Sequence, residues 1–277
     1  MEITIPFFDE IALTISDKPD GTGDFPSSGL QKGLLLTCKG AALAEEAVGF
    51  GVPVLKRGLQ TIFPGGVELT SERRDDTWEI TALYMLNMEE TFSSLQNQTV
   101  GGGLFYAIKD ILAGLIRRVP ALRGLLTAAS GALRATFGWK TAYLQSAFST
   151  TVKMRYAING QSGRIDVDVD PGDAGANGVT EIVVMNEQGA SAFEKYRDSF
   201  GLVLRGNEIG CWDEVHANEA GFESEDHRVA FTLTQATGVR LFRGRERIGS
   251  RLAWSGFGYS LKPAGEFSYA MKIERIP

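Results

Sequence analysis

With 277 residues, a net charge of −6, 43% hydrophobic, 10% aromatic and 22% charged residues, the chain carries enough apolar surface for a large core and lies outside the disordered class. No nucleic-acid partner is expected. Two cysteines, Cys38 and Cys211, are too few for a disulfide framework, MEITIPFFDE lacks the basic start of a secretory signal, and no window approaches the roughly eighteen apolar residues of a membrane span, so a soluble cytoplasmic protein is expected.

Residues 1–86 read as strand after strand. EITIPFF, IALTIS, GLLLTCK, PVLKRG, LQTIFPG, GVELTS and TWEITALYML are short runs rich in β-branched and aromatic residues, separated by Gly, Pro, Asp and Ser. The period then changes. Leu104, Phe105, Ile108, Ile111, Leu112, Leu115 and Ile116 recur at helical spacing, and Pro120 suits the first turn of a second helix, so a helical hairpin is predicted as an insertion over about 101–138. Lys109, Arg117, Arg118, Arg123, Arg134 and Lys140 stand here against Asp110 alone, a local +5 that leaves −11 for the rest. Such a basic, amphipathic segment packs on a core, joins chains into a homo-oligomer, or rests on an anionic membrane surface; core packing is the favoured role.

Alternation by two returns near Thr141. In RIDVDVD it puts Ile165, Val167 and Val169 on one face and Asp166, Asp168 and Asp170 on the other. VTEIVVM reads as a buried strand, and Ser191-Ala192-Phe193-Glu194 matches a capping box that predicts one short helix ending at Gly201. Strands resume with GLVLRG, EIGCWDEV, HRVAFTLT, GVRLFRGRE, SRLAWSGFGYSL and EFSYAMKIE. The total, roughly sixteen to eighteen, exceeds what one open twisted sheet usually carries, so the expectation is a mainly β, single-domain protein over residues 1–277, with two antiparallel sheets packed as a large sandwich.

The closing stretch YSLKPAGEFSYAMKIE resembles the last hairpin of the galactose-mutarotase-like supersandwich proteins, in which a leucine, a proline and a glycine lead to a Tyr-bearing strand; here these are Leu261, Pro263, Gly265 and Tyr269. The resemblance implies a supersandwich and, by analogy, a carbohydrate ligand. It does not extend to epimerase chemistry. The family's epimerases use two histidines in separate motifs and a late glutamate, whereas this chain has only His216 and His227, eleven apart in one segment.

GCWDEVHANEAGFESEDH, residues 210–227, holds both histidines. If GCWDEVH is a strand, Trp212, Glu214 and His216 share one face: an indole to cover a sugar ring, with a carboxylate and an imidazole to exchange protons as catalytic groups. Zinc is disfavoured, since Cys211 and His216 fall on opposite faces, and no metal or other cofactor is expected. The plain alternative is a solvated acidic hairpin end. Further ligand-binding candidates are Asn186 and Glu187 in VMNEQGA, and Arg243 and Arg245 beside Glu246 in LFRGRERIG, as polar clusters at strand ends that can meet at a sandwich rim. Glu45 precedes a Gly-Phe-Gly-Val-Pro turn where glycine permits close approach, and the aspartates of IDVDVDPGD make calcium conceivable, although an exposed polar strand face is the usual outcome. The leading expectation is therefore a carbohydrate-binding or carbohydrate-modifying sandwich with a saccharide ligand. The rival is a non-enzymatic assembly or membrane-surface module acting through the basic hairpin.

Overall fold

The structure, a computed structural model, describes residues 1–19, 29–93, 99–100, 140–248 and 251–277; the helical hairpin expected over about 101–138 lies outside the described residues. Nineteen strands are described: β1 (Glu2–Pro6), β2 (Ile11–Ser16), β3 (Leu35–Cys38), β4 (Ala41–Ala42), β5 (Phe50–Arg57), β6 (Gln60–Arg74), β7 (Thr77–Ser93), β8 (Thr99–Val100), β9 (Lys140–Asn159), β10 (Arg164–Asp170), β11 (Glu181–Gln188), β12 (Lys195–Asp198), β13 (Val203–Arg205), β14 (Asp213–Val215), β15 (Glu219–Ser224), β16 (Val229–Thr234), β17 (Arg240–Ile248), β18 (Arg251–Leu261) and β19 (Phe267–Arg275). Among the described residues no helix is long and apolar enough to cross a membrane.

The strands divide unequally. β1 to β4 form a four-stranded sheet in chain order, and the others form one fifteen-stranded antiparallel sheet of order β13-β12-β15-β16-β19-β10-β9-β7-β6-β5-β11-β18-β17-β14, with β8 on β7. Among the described residues the large sheet ends in β13 at one side and β14 at the other, each three residues long. It bends so that its two limbs face each other, and their inward side chains make the core. Phe231 of β16 meets Phe50 of β5 at a ring separation of 4.9 Å, Phe222 of β15 meets Phe257 of β18 at 5.0 Å, and Tyr259 of β18 meets Tyr269 of β19 at 4.4 Å. Edge-to-face contacts of this kind add to the burial of large apolar rings. Ile3, Ile5, Leu13, Ile15 and Leu36 of the small sheet enter the same core, and Gln188 at the end of β11 ties the sheets together: Leu36 N donates to its Oε1 at 3.1 Å and its Nε2 donates to Leu34 O at 3.2 Å.

A polar seam runs through this core. Tyr156 OH donates to Gly51 O at 2.8 Å, while Asn186 Oδ1 accepts from Gly51 N at 3.1 Å and from Tyr269 OH at 2.9 Å. Gly51 has φ +74°, and a Cβ there would sit 2.5 Å from the Tyr156 ring; the close approach foreseen around Phe50 is thus to the protein's own core. Tyr156→Phe leaves a buried carbonyl without its donor and is expected to cost about 1–3 kcal/mol, read from a shift of the urea midpoint at unchanged slope.

Two sequence expectations are corrected. Residues 190–192 form a turn and 193–194 an irregular link rather than a helix, and Lys195–Asp198 is a strand between β13 and β15. The Ser191 hydroxyl donates to Glu45 in place of capping a helix; of the residues that helical spacing would align, Phe193 and Tyr196 are buried in the sandwich core and Phe200 is exposed, so tertiary packing overrides the local pattern. YSLKPAGEFSYAMKIE is likewise not a hairpin. β18 pairs with β11 and β17, whereas β19 pairs with β16 and β10, so Tyr259 and Tyr269 meet across the core from opposite limbs.

Candidate functional site

β11, β18 and β17 lie side by side, and their register decides which polar groups meet. Asn186 is level with Phe257 and then Arg243, Glu187 with Gly256 and Gly244, and Gln188 with Ser255 and Arg245. The clusters at the ends of β11 and β17 are therefore at one height, two strands apart. Alternation sends them to different faces. Asn186, Arg243 and Arg245 share the inward face with Phe257 and Tyr259, while Glu187, Glu246 and Trp254 share the opposite one.

The inward groups are bound into the sandwich. Asn186 is spent on Gly51 and Tyr269. Arg243, only 13% exposed, lies 4.8 Å over the Tyr196 ring, donates to Ile209 O at 3.2 Å and is 3.7 Å from Asp213. Arg245 donates to Ala190 O at 3.0 Å and approaches Glu194 at 3.6 Å. Glu45, at φ +47°, accepts from Ser191 N and Oγ. Burial raises its carboxyl above the ordinary value, while the N–H groups of Ser191 and Ala190 and the Arg245 charge pull the other way. This rim is cross-linked by its own charges.

The stretch 210–216 follows a different path from a continuous strand. Gly206–Ile209 is a 3-10 turn, Trp212 has φ +59°, and β14 begins only at Asp213 and ends at Val215. Val215 enters the core and Glu214 points away, held by Arg240 through two hydrogen bonds of 2.9 and 2.8 Å; with Arg240 56% exposed, this pair contributes less than about 1 kcal/mol. His216 is exposed beyond the strand end. The left-handed turn at Trp212 lays its indole on the outward face, where a Cβ on Gly258 would lie 2.5 Å from the ring. A Cβ on Gly244 would meet Trp254 at 2.8 Å and Trp212 N at 3.1 Å. Glycines 244 and 258 thus clear the floor for an aromatic pair, Trp212 and Trp254, with centroids 5.3 Å apart.

Glu187 stands on this same outward face. It is 3% exposed; the Val48 N–H reaches its carboxyl, and Oε1 has no hydrogen-bond partner. Burial is the main cause that pushes its pKa up to about 8, the Val48 hydrogen bond opposes the shift, and the nearby Glu246 charge adds to it. Across the sheet, Tyr143 of β9 packs on Phe63 at 5.0 Å, and its phenol is raised well above the usual value by burial and then by Glu90, Glu187 and Glu246. β9 and β11 are four strand spacings apart in the sheet, about 19 Å if it were flat. Charge from Glu187 and Glu246 reaches Tyr143 because the sheet curls here. Register shifts at Phe63/Pro64, Pro64/Gly66 and Leu86/Met88 supply the bends. Tyr143 is level with Glu90 of β7, and the carboxyl groups of Glu187 and Glu246 act on its phenol as well.

Sequence reasoning singled out Trp212 and Glu187 but not Trp254, Tyr143 or Glu90. A usable signal exists in WSGFGY: aromatic residues at 257 and 259 alternate with glycines at 256 and 258, which marks one packed face and one bare face. The aspartates at 166, 168 and 170 are engaged with Arg164, Ser268 and Lys153, and no group of side chains able to hold a metal ion occurs among the described residues.

No protein-family model matches the chain, and no curated protein matches it. Among solved structures the chain is similar to the α-N-acetylgalactosaminidase NagBb from Bifidobacterium bifidum, in its complex with Gal-NHAc-DNJ and in its GalNAc complex, each with a TM-score of 0.50 at 8% identity over 99% of this chain. The chain spans 36% of the length of that protein. The likeness supports a β-sandwich fold.

Proposed function

We propose that the protein binds, or acts on, a carbohydrate at the outward face of β11, β17 and β18. The observation that carries this reading is the buried Glu187 carboxyl, with an oxygen lacking any partner, on the same strand face as the tryptophan pair. An indole offers a flat apolar surface to the C–H face of a sugar ring, and a carboxyl offers hydrogen bonds to its hydroxyls. A carboxyl with a pKa near 8 also remains protonated at neutral pH, the state in which it can serve as a general acid. The similar fold of an α-N-acetylgalactosaminidase agrees with a carbohydrate ligand. In this reading Glu214 and His216 are rim groups rather than the reacting pair, and Arg243 and Arg245 brace the wall from behind.

Calorimetric titration with a panel of mono- and oligosaccharides tests the proposal. At least one sugar is expected to bind, and Trp212→Ala is expected to weaken that binding tenfold or more. Absence of binding to every sugar, or equal affinity in the variant, removes the reading.

A further inference from the structure

We infer that a polar border beside Trp212, with Arg240 as donor and Glu181 as acceptor, recognises two adjacent hydroxyls of an uncharged sugar ring, and that Arg240 determines this specificity. The inference rests on the carbohydrate reading above and adds the charge class of the ligand and the hydroxyl pair that is read.

The placement follows from strand register. Phe242 of β17 is level with Gly258 of β18, the residue over which the Trp212 ring lies, and both face outward. Arg240, two residues earlier on β17, lays its guanidinium over the Phe242 ring, 4.7 Å from the centroid. Neighbouring strands are about 4.8 Å apart, so the guanidinium and the indole lie side by side on one surface. Arg240 is itself level with Ser260 of β18, whose Oγ donates to Glu181 Oε1 of β11 at 2.5 Å. An aromatic floor and a polar border therefore adjoin. A pyranose uses both at once, resting its C–H face on the ring while its edge hydroxyls meet the border.

Arg240 is held ready for this role. Its Nε and Nη2 each donate to Glu214, at 2.9 and 2.8 Å, and the stacking on Phe242 fixes the plane of the fork. A guanidinium has five N–H donors, so with two spent on Glu214 three remain on a side chain that is 56% exposed. Glu214 is thus a positioning residue, and its pairing orders donors more than it stabilises the fold. Charge then sets the ligand class. Arg240 and Lys56, which is level with Glu181 on β5, carry positive charge, and Glu214 and Glu181 carry as much negative charge, so the border sums to zero. A uronate or a protonated amine gains no net attraction there and loses hydration. Hydroxyls are donors and acceptors together, so a neighbouring pair can accept from Arg240 and donate to Glu181.

Titration calorimetry at neutral pH decides the matter, using the neutral monosaccharide that binds most tightly in the panel above, its 2-, 3- and 4-deoxy analogues, its uronic acid and its 2-amino counterpart. Two analogues deoxygenated at adjacent carbons are expected to bind at least tenfold more weakly than the parent sugar, and neither charged sugar more tightly than it. Arg240→Met is expected to bind the parent and the deoxy analogues within about twofold of one another, with an unchanged urea midpoint. Arg164→Gln, which breaks an exposed arginine–carboxylate pair on β10, leaves every affinity as it was. Deoxy analogues that all bind like the parent, tighter binding of either charged sugar, or a discrimination that survives in Arg240→Met overturns the inference while the carbohydrate reading stands. Failure of every sugar in the panel sinks both.

Discussion

Glu187→Gln is expected to make the protein more stable above pH 8 and to flatten its stability profile between about pH 4.5 and pH 8. The direction follows from where the proton sits. The folded carboxyl has its pKa raised to about 8, mainly by burial, against an ordinary value of 4.5. Below the unfolded value both states hold the proton and nothing is lost. As pH rises the unfolded chain ionises freely while the folded chain cannot, so stability falls by about 1.4 kcal/mol per pH unit until the folded group ionises too. Over the whole window the loss amounts to several kcal/mol, large against a typical net stability of about 5–15 kcal/mol. Glutamine keeps the shape and never ionises, so the slope due to this group vanishes. Urea melts of both proteins at pH 5, 6.5, 8 and 9 measure the difference, and parallel profiles would show that Glu187 ionises as readily in the folded state as in the unfolded one.

Phe231→Ala should be the most damaging single truncation in the core. The ring is fully buried and touches Phe50 at 4.9 Å, Phe193 at 5.0 Å, Phe222 at 5.7 Å and Phe257 at 6.1 Å, so it joins both limbs of the bent sheet. Four rings anchored on different strands cannot all collapse into the vacated volume. The expected cost is about 3–5 kcal/mol, or a fall in Tm of roughly 10 °C for a chain of this size. Phe200→Ala is the matched control: that ring is 71% exposed, and its loss should stay within about 0.5 kcal/mol. A small effect at Phe231 would mean that the limbs are held together elsewhere.

Strand content was legible in the sequence because alternation and turn residues are local signals: Ile11–Ser16 and Arg164–Asp170 occur where the two-residue period places them, with the expected residues buried. Partition into sheets was not legible. Whether β18 pairs with β19 or faces it across the core depends on long-range register, and nothing local in YSLKPAGEFSYAMKIE distinguishes the two. The Ser191 capping pattern failed for the same reason, since Glu45, 146 residues earlier, competes for the hydroxyl. At the site, Glu187 was picked out as a polar residue ending an apolar strand, but its face depended on knowing that Asn186 is the one turned inward. Trp212 was singled out for the face it would share with Glu214 in a continuous strand; it lies on the outward face, to which Glu214 also points, but gets there through a left-handed turn that no alternation rule anticipates. The curl that brings Tyr143 near Glu187 comes from irregularities around Pro64 and Asn87, visible only once the partners are known.

The short terminal strands of the large sheet bear on how the protein behaves when concentrated. A fifteen-stranded ladder would be a dangerous template if it ended in long bare backbone, because another chain could dock there and growth into fibrils could follow. Among the described residues each end offers three, β13 closing on Arg205 and β14 carrying Asp213 and Glu214. An intruding strand would gain only a few amide bonds while burying charge, so the ladder stops where it does.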